Sequence, residues 1–132
     1  MLKLPTIFFL TSISTLAVVH VTATELFLYW RYQWLDIPVH ALGGAAVALG
    51  FFACHDLCPK YPKRLLYPIP IFLLVLLVAL AWEVFELKIG IPIEDDFEID
   101  TIIDLIMDML GGVVGYMVGY AVTSLDLDED VA

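Results

Sequence analysis

The sequence predicts an all-α integral membrane protein, a bundle of four transmembrane helices. Of its 132 residues 61% are hydrophobic, and the mean hydropathy is +0.92, whereas a soluble domain is nearer half apolar. A soluble core of this length would leave too much surface in water to hide so many apolar side chains. The apolar residues also fall into four runs, each near the ~20 residues that cross ~30 Å of hydrocarbon. The length suits one transmembrane domain over residues 1–132.

The runs predict helices over about 6–30, 35–55, 68–89 and 100–124, with an acidic loop at 90–99 and an acidic tail at 125–132. In the first segment Pro5 fits a first helical turn, where its missing N–H is harmless. Lys3, the apolar run and Val21-Thr22-Ala23 loosely match a cleaved signal peptide. The apolar stretch continues through Leu26, Phe27, Leu28, Tyr29 and Trp30, so a retained spanning helix is expected. Asp36 is the expected N-cap of the second segment and Asp100 that of the fourth. The third holds the densest apolar run, Ile71 to Ala81, and stops at Lys88 with Gly90 and Pro92 beyond.

Six Lys and Arg face 16 Asp and Glu, a net charge of -10. That balance argues against nucleic acid, which selects basic surfaces, and suits cations. The acidic tail, with Asp126, Asp128, Glu129 and Asp130, reads as solvated. Cys54 and Cys58 lack the spacing and further ligands of a zinc knuckle and make no disulfide framework. They read as helix-end residues.

Ionisable groups inside a span are costly and mark candidate sites. Here they are Asp36 and His40 in the second segment, Glu83 and Glu86 in the third, and Asp104 and Asp108 in the fourth. His20 and Glu25 in the first are weaker additions. Alternating helix directions place all of them in the same half of the bilayer. At ~100° per residue, Asp36, His40, Gly43, Val47 and Gly50 share one stripe. Asp100, Asp104, Asp108, Gly111 and Gly115 share another, with Gly119 beside it. Small residues let helices approach closely in lipid, so Gly43, Gly44, Gly111, Gly112, Gly115 and Gly119 are expected at helix contacts. Asp36-x-x-x-His40-x-Leu42-Gly43-Gly44 also aligns with Asp104-x-x-x-Asp108-x-Leu110-Gly111-Gly112, which suggests a parallel repeat of two hairpins with a site between them. Each acid has a simpler reading too. Asp36 and Asp100 could serve only as caps, and Glu86 could pair with Lys88 at the rim. Trp30, Trp34 and Trp82 read as interfacial belt residues.

The motif order resembles the VanZ-like and YjdF-like small membrane proteins. The residues that carry this are Trp34, Asp36, His40 and Gly43; then Trp82-Glu83-Val84-Phe85-Glu86; then Asp100, Asp104, Asp108-Met109, Gly111 and Gly115. The resemblance covers roughly Trp30 to Gly119. This chain lacks a basic residue after Asp36, and the resemblance implies no agreed reaction or ligand.

Three functions fit these residues. One is a divalent-cation or small polar ligand site, serving an enzyme or transporter, with a lipid-linked substrate as a further candidate partner. No Ser/His/Asp set, His-Glu-x-x-His or Gly-rich phosphate loop specifies a reaction. The second is proton or cation translocation through Glu83 and Asp108. The third is a non-catalytic assembly subunit, with the glycine stripes serving a homo-oligomer.

Lys60, Lys63 and Arg64 lie between the second and third segments, whereas Glu94, Asp95, Asp96 and Glu98 lie between the third and fourth. The positive-inside rule puts the basic linker and both termini in the cytoplasm of a cell-membrane protein. Lys3 agrees and Arg31 dissents. The ionisable cluster then lies near the outer face. In a background lacking Cys54 and Cys58, Asp95→Cys should react with an impermeant thiol reagent added outside intact cells, and Lys63→Cys should not. The reverse pattern would invert the topology.

Overall fold

The computed structural model describes residues 2–58, 60–89 and 97–129. The expected loop acids Glu94, Asp95 and Asp96, and the last three residues of the tail, lie outside them. Every described element is helical: α1 (Leu4–Glu25), α2 (Leu28–Arg31), α3 (Asp36–Leu57), α4 (Pro68–Ile89) and α5 (Phe97–Glu129), with short 3-10 turns at Gln33–Leu35 and Lys63–Leu66. Helices α1, α3, α4 and α5 are long and apolar enough to cross a membrane.

The expected first helix, 6–30, is in fact broken. Leu26 and Phe27 tighten the last turn of α1 through bonds from their N–H groups to the Thr22 and Thr24 carbonyls. Phe27 then takes a left-handed backbone, φ 55°, which costs a non-glycine residue roughly 1–2 kcal/mol. The turn swings α2 back over the bundle and buries Tyr29 against Ala23 and Val39. No glycine marks the break in the sequence. The cap assignments change as well. Asp36 sits in the first turn of α3, after the 3-10 turn, and α3 has no side-chain cap. Helix α5 starts at Phe97, so Asp100 also lies inside its first turn, and it runs to Glu129 rather than stopping near Ser124.

Helix α3 is central and packs on α1, α4 and α5. Its tightest partner is α5. A Cβ on Gly44 would strike the Asp108 backbone, one on Gly111 the Ala41 backbone, and one on Gly115 the Ala45 backbone. The first two contacts are reciprocal. Each glycine lies on the residue three positions before the other glycine, so the crossing has local two-fold character. Gly119 meets the Phe52 ring and Gly112 the Val75 side chain. Gly43, expected at a helix contact, has only the Asp108 carboxylate nearby, at 3.5 Å. The aligned positions Gly43 and Gly111 therefore do different jobs. These glycine contacts lie within one chain and close its fold.

Below the crossing, Ala48, Phe51 and Phe52 of α3 pack with Ile71 and Val75 of α4, and Tyr116 of α5 joins them. The outward faces are apolar: Ile69, Leu73, Leu77 and Val84 on α4 and Ile102, Ile106, Val114 and Met117 on α5 are exposed. Such surfaces suit lipid, not water. Cys54 and Cys58 are free and exposed near the end of α3.

Gly44→Ala and Gly111→Ala should each destabilise the detergent-solubilised protein by about 1–3 kcal/mol, the cost typical of overpacking. Gly43→Ala should be close to neutral. Thermal melts of the three variants check this, and an equal response at all three would mean the helices do not cross as described.

Candidate functional site

The ionisable residues sit just above the glycine crossing, where α1 and α4 end and α3 and α5 begin. Asp36 and His40 are one turn apart on α3, as are Asp104 and Asp108 on α5 and Glu83 and Glu86 on α4, so each pair projects from one helix face. The close approach of α3 and α5 brings His40 to the α5 acids. Its Nδ1–H donates to Asp108 Oδ2 at 2.9 Å. Its Nε2 lies 3.8 Å from Asp36 Oδ1 and 3.8 Å from Asp104 Oδ2. From the other side, α4 brings Glu83 and Glu86 to the same imidazole.

Two overlapping groups result. One ligand atom each from Asp36, His40 and Asp104 lie within 4.8 Å of one another, and the same holds for His40, Glu83 and Glu86. His40 belongs to both. Asp108 is set apart from them because its Oδ2 accepts from the other ring nitrogen. An aspartate there fixes the ring orientation and turns Nε2 toward Asp36 and Asp104, a recurrent support for metal-binding histidines, which coordinate through the deprotonated nitrogen.

Burial is severe. Asp104 is 2% exposed, His40 5%, Glu83 6% and Asp108 7%, whereas Asp36 and Glu86 are half-buried. Thr101 Oγ1 donates to Glu83 Oε2 at 2.8 Å. Glu83 Oε1 and Asp104 Oδ1 are buried with no hydrogen-bond partner among the described residues. Leaving such acceptors unpaired costs roughly 1–3 kcal/mol each, more when charged.

All six residues expected at the site are thus at one end of the bundle. Glu25 is exposed at the end of α1 and Asp100 is half-buried on α5; neither joins the ligand groups. Two further contributors, Thr101 and Tyr29, were not singled out by sequence, and a third, Trp82, was expected in another role. Thr101 is an ordinary helix-start residue until its bond to Glu83 is seen. Tyr29 lies in an apolar run, yet its hydroxyl is 2.9 Å from His20 Nδ1. Burial, then the Asp36 and Glu86 carboxylates, push its pKa up to about 12, so it remains a neutral hydroxyl. Trp82, expected in an interfacial belt, stands edge-on to His20 with ring centres 5.4 Å apart.

Chemically, the arrangement offers an oxygen-rich, anionic pocket with one oriented imidazole nitrogen. It lacks a neighbouring lysine or arginine among the described residues to neutralise it. No curated protein and no solved structure gives a significant match to this chain. A profile of membrane-protein sequences does match, over residues 2–124, which takes in all four spans and every residue of the pocket. The chain belongs to the DUF2238 family of predicted membrane proteins.

Proposed function

We propose that the protein binds one divalent cation in this pocket, with Asp36, His40, Glu83, Glu86 and Asp104 as the candidate ligands and Asp108 orienting His40. The supporting observation is the pair of ligand groups that share His40, each within 4.8 Å, together with the partnerless oxygens of Glu83 and Asp104. Metal–ligand bonds of about 2.0–2.4 Å put two ligands of one ion roughly 3–4.8 Å apart, and the 3.8 Å separations at Nε2 fall in that window. A cation would satisfy both orphaned oxygens and lower the electrostatic cost of gathering carboxylates in hydrocarbon. Mostly oxygen donors with one imidazole suit Mn²⁺ or Fe²⁺ well and the softer metals less.

Translocation is less well supported. Between this pocket and the Thr6–Asp56 hydrogen bond at the opposite end stand Phe52, Ile71 and Val75, all buried. A purely structural subunit is less well supported too, because the hydrogen bonds among the described residues leave Glu83 Oε1 and Asp104 Oδ1 unsatisfied. The Trp34-to-Gly115 motif order favours placing the chain beside the VanZ-like and YjdF-like proteins, and the charge pattern favours cytoplasmic termini in the cell membrane with the pocket near the outer face.

Purified protein equilibrated with Mn²⁺ and desalted should retain close to one ion per chain by elemental analysis. Glu83→Gln or Asp104→Asn should abolish that retention, and Glu25→Gln should not. Asp108→Asn should weaken affinity by about 10–100-fold, the usual loss when a supporting carboxylate is removed. Folded parent protein that retains no Mn²⁺, Fe²⁺ or Zn²⁺ would contradict the proposal.

A further inference from the structure

A cavity of about 700 Å³ runs along α3 between α1 and α4, within the ~300–1,000 Å³ typical of small-molecule sites. Its floor is Gly43, Ala46, Val47 and Gly50 of α3, spaced i, i+3, i+4 and i+7 on one helix face. The small side chains there hollow out the surface while α1 and α4 stand apart as walls. The lining is almost wholly apolar along its length. Its polar groups gather at one end, at His20, His40 and Asp108, and the other end reaches Cys54 and Tyr61. At about 1.5 Å of rise per residue, the stretch from His40 to Cys54 is roughly 21 Å long, enough to seat a hydrocarbon chain from one bilayer leaflet, about half of ~30 Å.

The groove and the acidic pocket meet at a shared residue. His40 and Asp108 line the apolar groove, and Asp104, Asp36, Glu83 and Glu86 lie across the same imidazole. A molecule filling both would be amphiphilic, with one long apolar chain and a polar head. Phosphate oxygens could not approach so many carboxylates unaided, because like charges repel, but a cation between them would bridge the two. The partnerless Asp104 Oδ1 and Glu83 Oε1 supply the protein side of that bridge.

We propose that the groove seats one hydrocarbon chain of a phosphate-bearing membrane lipid whose headgroup is held at the acidic end through the bound cation. This rests on the cation reading above and assigns that site its ligand class. An amine headgroup would be drawn to the carboxylates directly and would need no metal, so metal dependence separates the two lipid chemistries. Val78 on α4 and Ala17 on α1 both line the groove and are exposed. Phenylalanine at either fills the groove without entering the buried core.

The test is native mass spectrometry of the full chain with dipalmitoyl phosphatidic acid, with and without Mn²⁺, alongside separate Mn²⁺ titrations. Dipalmitoyl glycerol, which has the same chains and no phosphate, is the control. The parent should bind one phosphatidic acid in Mn²⁺, at least tenfold more weakly in chelator, and should bind the glycerol lipid no better than the chelated state binds phosphatidic acid. Ala17→Phe and Val78→Phe should each lower lipid binding at least tenfold with Mn²⁺ affinity unchanged, whereas Glu83→Gln should lose both ligands. Phosphatidic acid binding that ignores Mn²⁺, or that survives both phenylalanine variants, would overturn the lipid assignment. A parent that binds no Mn²⁺ at all would instead overturn the cation reading on which it rests.

Discussion

The close crossing of α3 and α5 determines the rest of the architecture. Gly44 rests on the Asp108 backbone and Gly111 on the Ala41 backbone, an approach that any side chain at either glycine would block. In lipid there is no hydrophobic drive to bring helices together, so close backbone contact and interhelical polar bonds carry the association. Close Cα–H to carbonyl approaches are a recurring feature of such contacts and add a small further attraction. The pocket lies immediately above this crossing. His40 reaches Asp108 and Asp104 because the two helix axes are already as near as glycine permits.

Packing and chemistry are therefore coupled on the same two faces. Bringing the faces together buries His40, Asp104 and Asp108, and α4 adds Glu83 from the third side. Isolated charges left in hydrocarbon cost several kcal/mol each by rough reckoning. The chain meets part of that cost itself, through the His40–Asp108 bond and the Thr101–Glu83 bond. Two carboxylate oxygens stay unmatched among the described residues, and both belong to residues of the two ligand groups. The groove along α3 follows from small residues on its neighbouring face. Gly44 and the Ala41 and Ala45 backbones meet α5. Gly43, Ala46 and Gly50, one face away, leave a channel between α1 and α4.

Much of this could be read from the sequence, because hydropathy and helical period are strong signals over long segments. The four spans follow from the apolar runs, and the gathering of Asp36, His40, Glu83, Glu86, Asp104 and Asp108 at one end follows from alternating helix directions. Features set by tertiary contact could not be read so well. The break at Phe27 has no glycine or proline to announce it, since the burial of Tyr29 offsets a left-handed phenylalanine. Asp36 and Asp100 look like caps by residue type, yet the chain before each already turns helically. Gly43 and Gly44 are adjacent and chemically identical, and only the ~100° between them decides that Gly44 meets α5 while Gly43 lines the groove. The apparent repeat aligns Gly43 with Gly111, whereas the reciprocal contact in the structure pairs Gly44 with Gly111, one residue out of that register.

Electron spin-echo spectroscopy of Mn²⁺ bound to the protein addresses convergence of these residues on one ion most directly, because nitrogen coupling reports which side chain touches the metal. A single imidazole nitrogen should modulate the signal, persist in His20→Phe and vanish in His40→Ala with Mn²⁺ still detectable at reduced affinity. A bound Mn²⁺ with no nitrogen coupling in the parent, or coupling that survives in His40→Ala, would contradict a site built around His40.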